Sequence, residues 1–340
     1  MALHPKPPKP RAPGGFIISL DLELLWGVRD KRTVDSYGNS IRGGRTAIPR
    51  MLECFDQYEV KATFATVGLL FHRDRESMMA GLPTIRPTYV HGHLSPYNGH
   101  FDQVGVNEEA DPYHFGHALL SRLLAHPGHE VGCHTFSHYY CLEAGQTPAQ
   151  FEADMAAAVH AASRMGITLR SLVFPRNQYN PAYLNICRQF GIEAYRGNER
   201  SWAQVAKSSE EETLVRRGVR LLDTWINLTG HNCHPWPNVS AGLPVNIPSS
   251  RFLRPWNKHT RWLEGLRLRR ITKAMDHAAC TGTLFHLWWH PHNFGRNLEE
   301  NMAFLGKVLE HYGRLRGDQG MESLTMGEVA SRSIAQAHGS

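Results

Sequence analysis

Seven short runs rich in apolar and β-branched residues recur along this chain, and amphipathic segments of helical period stand between them. The runs are residues 16–21 (FIISLD), 61–67 (KATFATV), 130–134 (EVGCH), 171–175 (SLVFP), 191–197 (GIEAYRG), 282–290 (GTLFHLWWH) and 321–326 (MESLTM). Strand followed by helix, in repetition, means a parallel sheet, because parallel neighbours need a crossover connection. Seven such units predict an α/β fold, either a parallel barrel or a doubly wound sheet. Three helices are marked in detail. Ile48, Met51, Leu52, Phe55 and Tyr58 share one face after the first strand. Thr147, Pro148 and Gln150 form a cap, a first-turn proline and a capping box, and Gly166 stops that helix. Asn180-Pro181 to Gly191 follows the same grammar.

Two stretches break the alternation, residues 81–113 and 227–257, both rich in Pro, Gly, Asn, His and aromatics. Unstructured loops longer than about 15 residues are uncommon in compact domains unless they serve function, so both are expected as substrate walls. The reading is a single domain over residues 15–335 with these two insertions, preceded by a flexible arm over 1–14. That arm is too rich in proline and charge for a signal peptide, and no run of about 18 apolar residues follows, so a soluble, cytoplasmic protein is expected. Six cysteines without C-x-x-C spacing indicate neither a disulfide framework nor a zinc ribbon. The formal charge of +6 is partly local, since residues 258–273 (KHTRWLEGLRLRRITK) hold six basic residues against one acid. That segment reads either as a solvated helix face or as a peripheral contact with anionic lipid or a phosphorylated sugar carrier. It contains no recognised nucleic-acid module, so no specific nucleic-acid partner is expected.

Chemistry-bearing residues gather where strands end. Asp21 and Glu23 stand two apart at the end of the first run, a spacing that sends both side chains the same way while the chain stays extended. The bland alternative has one capping a helix and the other solvated. His134 ends the third run and His138 follows at i+4. In a helical turn the two face one way and bite a single ion, although close pairs also arise by chance among 21 histidines. His286, His290 and His292 alternate in the sixth run, fitting either a general acid at its exit or satisfied core histidines. Arg176 follows the fourth run, and a buried arginine there needs a carboxylate, with Asp21 the nearest logical partner.

With an acidic pair, an H-T-x-x-H stretch, an arginine beside a proline and a late strand ending in histidine, in that order, the chain resembles the polysaccharide deacetylase family (the nodulation-deacetylase homology domain) in a D-x-E form. The resemblance spans roughly residues 15–330. It implies a distorted parallel (β/α) barrel of about seven strands and a metal-dependent hydrolase that removes an N-acetyl or related acyl group from an amino sugar or glycan precursor. By position it makes Asp21 the catalytic base, Glu23, His134 and His138 the ligands of a divalent metal such as zinc, Arg176 the arginine that steadies the base, and His290 the acid, with His286 competing for that last role. Trp236 and Trp256 fit either sugar stacking or core packing. A hydrolase of a small non-sugar amide or cyclic ureide, and a catalytically inactive glycan-binding barrel, are the other functions such a chain can have.

Overall fold

The computed structural model describes residues 12–199, 218–219, 221–239 and 242–338. Of the arm expected over 1–14, residues 1–11 lie outside the described residues, and Gly14 is already packed, its carbonyl accepting a hydrogen bond from the Glu322 N–H. All seven expected strands form: β1 (Gly15–Leu22), β2 (Thr63–Thr66), β3 (Glu130–Cys133), β4 (Ser171–Leu172), β5 (Ala194–Tyr195), β8 (Leu284–Trp289) and β9 (Glu322–Leu324). Two more, β6 (Val245–Asn246) and β7 (Arg251–Phe252), arise inside the stretch read as an insertion.

Every pairing is parallel, in the order β6-β5-β4-β3-β2-β1-β8-β7, with β9 beside the start of β1. β6 and β7 belong to one continuous segment that joins the two ends of this order. Its Val245, Ile247 and Ser249 N–H groups donate to Glu193, Tyr195 and Gly197, and then Ser250 and Leu253 donate to His286 and Trp288 on β8. The sheet thus curls back on itself as the distorted barrel expected. Its last stave carries Pro244 and Pro248, which interrupt the alternation that marks a strand in sequence.

Between the staves run α1 (Val34–Gln57), α2 (Arg75–Ala80), α3 (His117–Leu124), α4 (Pro148–Ser163), α5 (Leu184–Gln189), α6 (Glu264–Thr281), α7 (Leu298–Gln319) and α8 (Met326–His338). The capping box of α4 forms as expected, with Thr147 accepting from the Gln150 N–H. The helix expected from Asn180 divides into a 3-10 turn over Pro181–Tyr183 and the short α5, with the Asn180 side chain capping the turn.

The faces of β1 show what positions the site. Phe16, Ile18, Leu20 and Leu22 point outward into the main core shared with the helices. Ile17 points inward to a second cluster at the barrel floor, closed by Leu324 and by Met326, Val329 and Ala330 of α8. Above it on the same inward side stand Ser19 and Asp21, then Glu23 at the mouth. Period-two geometry therefore grades the barrel interior from apolar floor to charged rim. α1 approaches the turn after β8 through Gly43 and Gly44: a Cβ on Gly44 would lie 2.6 Å from the His292 Cα. Gly44→Val is expected to destabilise the protein by about 1–3 kcal/mol through overpacking. Gly306→Ala in α7, where an added methyl meets nothing within 4 Å, is expected to stabilise by about 0.5–1 kcal/mol. Thermal denaturation of both variants checks the pair.

Candidate active site and metal centre

The rim of the barrel brings together side chains from β1, β3, β5 and β8. Asp21 and Glu23 are both 3% exposed, so neither carboxylate is solvated or free to cap a helix. After Leu22 the chain turns sharply, and Leu24 takes φ 47° at the start of a 3-10 turn over Leu24–Gly27. The Glu23 carboxylate folds over that turn so closely that a Cβ on Gly27 would sit 1.9 Å from its carboxyl carbon. Gly27 is thus the space that Glu23 occupies.

His134 leaves β3, and His138 arrives by a route the i, i+4 spacing did not suggest. Residues 134–138 are not helical, and Thr135 and His138 take φ 59° and 58°. Asp154 of α4 clamps this turn, accepting the Phe136 N–H at 2.6 Å, the Ser137 N–H at 3.1 Å and the Ser137 hydroxyl. Burial pushes the Asp154 carboxyl up to about 6 against those hydrogen bonds. The 81–113 stretch buttresses the same turn: the Tyr140 N–H donates to the Tyr89 hydroxyl at 2.8 Å, and the Tyr140 ring stands edge-on to His138.

The donor chemistry at Glu23 fits a cation. His134 Nδ1 lies 2.8 Å from the Val173 carbonyl, which can only accept, so Nδ1 carries the proton and Nε2 of the neutral ring presents a lone pair. That lone pair faces Glu23 Oε2, another acceptor, at 3.3 Å, and His138 Nε2 faces the same oxygen at 3.1 Å. Burial drives the His138 imidazole down to about 4, keeping it neutral, and its Nδ1 is buried without a partner among the described residues. Burial also disfavours the charged form of Glu23, but its surroundings, His290 foremost, outweigh it and hold the carboxyl well below the usual range. One ligand atom from each of these three buried residues lies within 4.8 Å of the others. A carboxylate oxygen facing two imidazole nitrogens, the one on His134 fixed as a lone pair, is a ligand set that fits a divalent ion, and one carboxylate with two imidazoles suits zinc.

Asp21 is held differently, and here one expectation is corrected. The guanidinium on Asp21 is that of Arg196, at the end of β5, with NH1 and NH2 donating to the two carboxylate oxygens at 2.7 and 2.8 Å. Arg196 also reaches Ser19 and Asn177, and lies over the Trp288 ring at 4.2 Å. Arg176 instead pairs with Asp30 and stacks on Tyr140 at 4.1 Å. The cause is the backbone: Arg176 and Asn177 both take left-handed conformations, φ 54° and 55°. Arg176 then turns toward Asp30, and Asn177 toward Arg196. Burial opposes ionisation of Asp21, yet Arg196 outweighs it and holds the carboxyl below its ordinary value.

Of the late histidines, His286 is fully buried on the inward face, with its Nε2 2.8 Å from the Ser19 hydroxyl. Burial, with Arg196 nearby, pushes it down to about 3, so it holds no proton to give at neutral pH. His290 Nε2 lies 3.7 Å from both Asp21 Oδ2 and Glu23 Oε1, and its side chain is 24% exposed. His292, which sequence reasoning left without a role, is also at the site: its ring stacks on His290 at 5.1 Å and its Nε2 is 4.0 Å from Glu23. A groove of about 860 Å³ opens beside it, lined by Tyr37, Trp256, Asn293 and Arg296 among others. Trp236 packs against the barrel-floor cluster instead.

The family model for polysaccharide deacetylase matches residues 33–195, and over that span the chain is similar to that family. The matched span contains His134 and His138, while β1 with its two acids and β8 with His290 lie outside it. Among solved structures, a protein described as a polysaccharide deacetylase from Mycobacterium smegmatis aligns over 97% of this chain and 96% of its own, at 14% identity and TM-score 0.60. Another so described, from Pseudomonas aeruginosa PAO1, aligns over 95% and 91% at 11% identity and TM-score 0.55. An allantoinase aligns over 97% and 92% at 13% identity and TM-score 0.54. At these identities the likeness is one of fold. No curated protein matches the sequence.

Removing Arg196 takes away the largest of the interactions that oppose burial at Asp21, leaving His134 and His290. The Asp21 carboxyl is therefore expected to titrate at higher pH in Arg196→Met and to stay where it is in Arg176→Met, as followed by carboxyl-carbon NMR.

Proposed function

We propose that the protein is a metal-dependent hydrolase that removes an N-acetyl or related acyl group from an amino sugar or glycan precursor. The observation that carries this reading is the facing of Glu23 Oε2 by two imidazole nitrogens, 3.3 and 3.1 Å away, beside a second carboxylate that has its own separate counter-ion. A divalent cation held by Glu23, His134 and His138 supplies Lewis-acid polarisation of the acyl oxygen and a water of lowered pKa.

The chain's own residues do the rest. Asp21, kept ionised by Arg196 and buried beside the ligand set, takes a proton from the attacking water. Its bidentate pairing fixes both oxygens, so the base meets its substrate without rearrangement. His290 lies within reach of both carboxylates and is the one histidine of its strand whose side chain opens to solvent, which suits it to hand a proton to the departing amine. His292 packs against it and holds the ring in place.

The groove favours a sugar over a small amide. It is several times the size of an acetamide group, it begins at His292, and Tyr37 and Trp256 offer aromatic faces for a pyranose ring.

Chelation is expected to abolish acetate release from N-acetylated amino sugars, and added zinc to restore it. A stripped protein that kept full amidase activity would overturn the reading. Asp21→Asn is expected to lower kcat by roughly 10²–10⁴-fold with metal content unchanged. Assaying small amides and a cyclic ureide beside the sugars separates the glycan reading from a small-amide hydrolase.

A further inference from the structure

The groove that leads away from His292 ends at Pro255, Trp256, Asn257, Lys258 and His259. There the chain enters a 3-10 turn over Lys258–Leu263 and runs on into α6. This is the basic segment of the sequence, and the structure divides its six cations into two sets. Arg267 and Arg270 are buried: Arg267 pairs with Glu264 and lies over the Phe304 ring, and Arg270 bonds Asp223 and the Gly230 carbonyl. Lys258, Arg261, Arg269 and Lys273 are exposed. The single acid of the segment, Glu264, is taken by Arg267, so it does not offset them.

Two large apolar residues share the exposed side. Trp262 is 77% exposed and Leu266 is 45% exposed. Leu266, Arg269 and Lys273 follow one another at spacings of three and four, one stripe of α6 that Trp262 precedes in the 3-10 turn, while Ile271, Ala274, Met275 and Ala278 of the opposite side are buried in the core. A tryptophan this exposed, set among cations, has the composition of a segment lying in a bilayer headgroup layer. A soluble polyanion would use the cations alone. A charged bilayer uses the cations and the apolar pair together.

We propose that the 258–273 face docks the protein on an anionic lipid bilayer. Because the groove opens directly beside this face, docking brings the mouth of the barrel to the membrane surface. The substrate is then an acylated amino sugar carried on an anionic amphiphile, and this part of the proposal rests on the hydrolase reading above.

The test is sedimentation of the full chain with vesicles of phosphatidylcholine alone, or of equal parts phosphatidylcholine and phosphatidylglycerol, at physiological salt. Binding to the anionic vesicles only is expected. Arg261→Gln with Arg269→Gln should lower the partition coefficient about 25-fold, about fivefold for each basic group at a charged surface. Trp262→Ala should lower it several-fold at unchanged charge. All of these residues are exposed and away from the ligand set, so melting temperature and turnover of a water-soluble acylated sugar should not change. Absence of binding to anionic vesicles, or variants that bind as wild type does, would overturn the proposal. So would displacement by heparin together with undiminished binding of Trp262→Ala, which would mark a polyanion site. If the hydrolase reading fails, soluble-substrate turnover is missing while vesicle binding remains, so the two failures are distinguishable.

Discussion

Two carboxylates, Asp21 and Glu23, stand two residues apart at the end of a strand buried along its whole length, each 3% exposed. An ionised carboxylate taken out of water costs several kcal/mol unless a cation and hydrogen bonds compensate it. Much of the rim follows from the two different ways in which these charges are met. Asp21 has a full guanidinium, bidentate and itself buried, so its charge is balanced within the protein. Glu23 faces imidazoles, one fixed in its tautomer by the Val173 carbonyl and one driven neutral by burial. Neutral rings orient toward a carboxylate but do not neutralise it. The same strand end thus holds one carboxylate met by a guanidinium and one met by imidazoles.

That asymmetry separates the chemical roles. A carboxylate whose charge is already balanced is available to handle protons, and one that presents an oxygen to two imidazole nitrogens is available to hold a metal. The surrounding structure keeps the two apart. Asp154 fixes the 134–138 turn from the helix layer, Asn177 past β4 and Trp288 on β8 hold Arg196, and Gly27 leaves the volume into which Glu23 folds. The glycines of α1 let the helix press on the turn carrying His290 and His292, so the outer layer also sets the position of the two exit histidines.

The sequence made the architecture legible because a parallel sheet writes itself in apolar runs: β2, β3 and β8 lie within the runs expected for them, and β1 extends one residue past its run at each end. The barrel's closing stave was hidden: its residues pair with β5 and then with β8, but Pro244 and Pro248 erase the alternation, so it read as loop. Glu23, His134 and His138 were legible as candidates because each lies at or just past a strand end. The partner of Asp21 was not. Arg196 stands one residue before the end of the fifth run, where an arginine at a barrel rim is as informative as one near a proline, but the positional likeness favoured Arg176. What sends Arg176 away is a pair of left-handed residues, 176 and 177, which no spacing pattern announces. Likewise His138 reaches Glu23 through backbone conformations that a helical reading of H-x-x-x-H does not contain.

The account rests on a single divalent ion bridging Glu23 to the two histidines. The most direct measurement is anomalous diffraction at the zinc absorption edge from crystals of the protein grown with zinc. One strong peak is predicted between Glu23 Oε2, His134 Nε2 and His138 Nε2, absent in crystals of Glu23→Ala. A fully loaded crystal whose zinc lies elsewhere, with Glu23 still facing bare imidazoles, would contradict it.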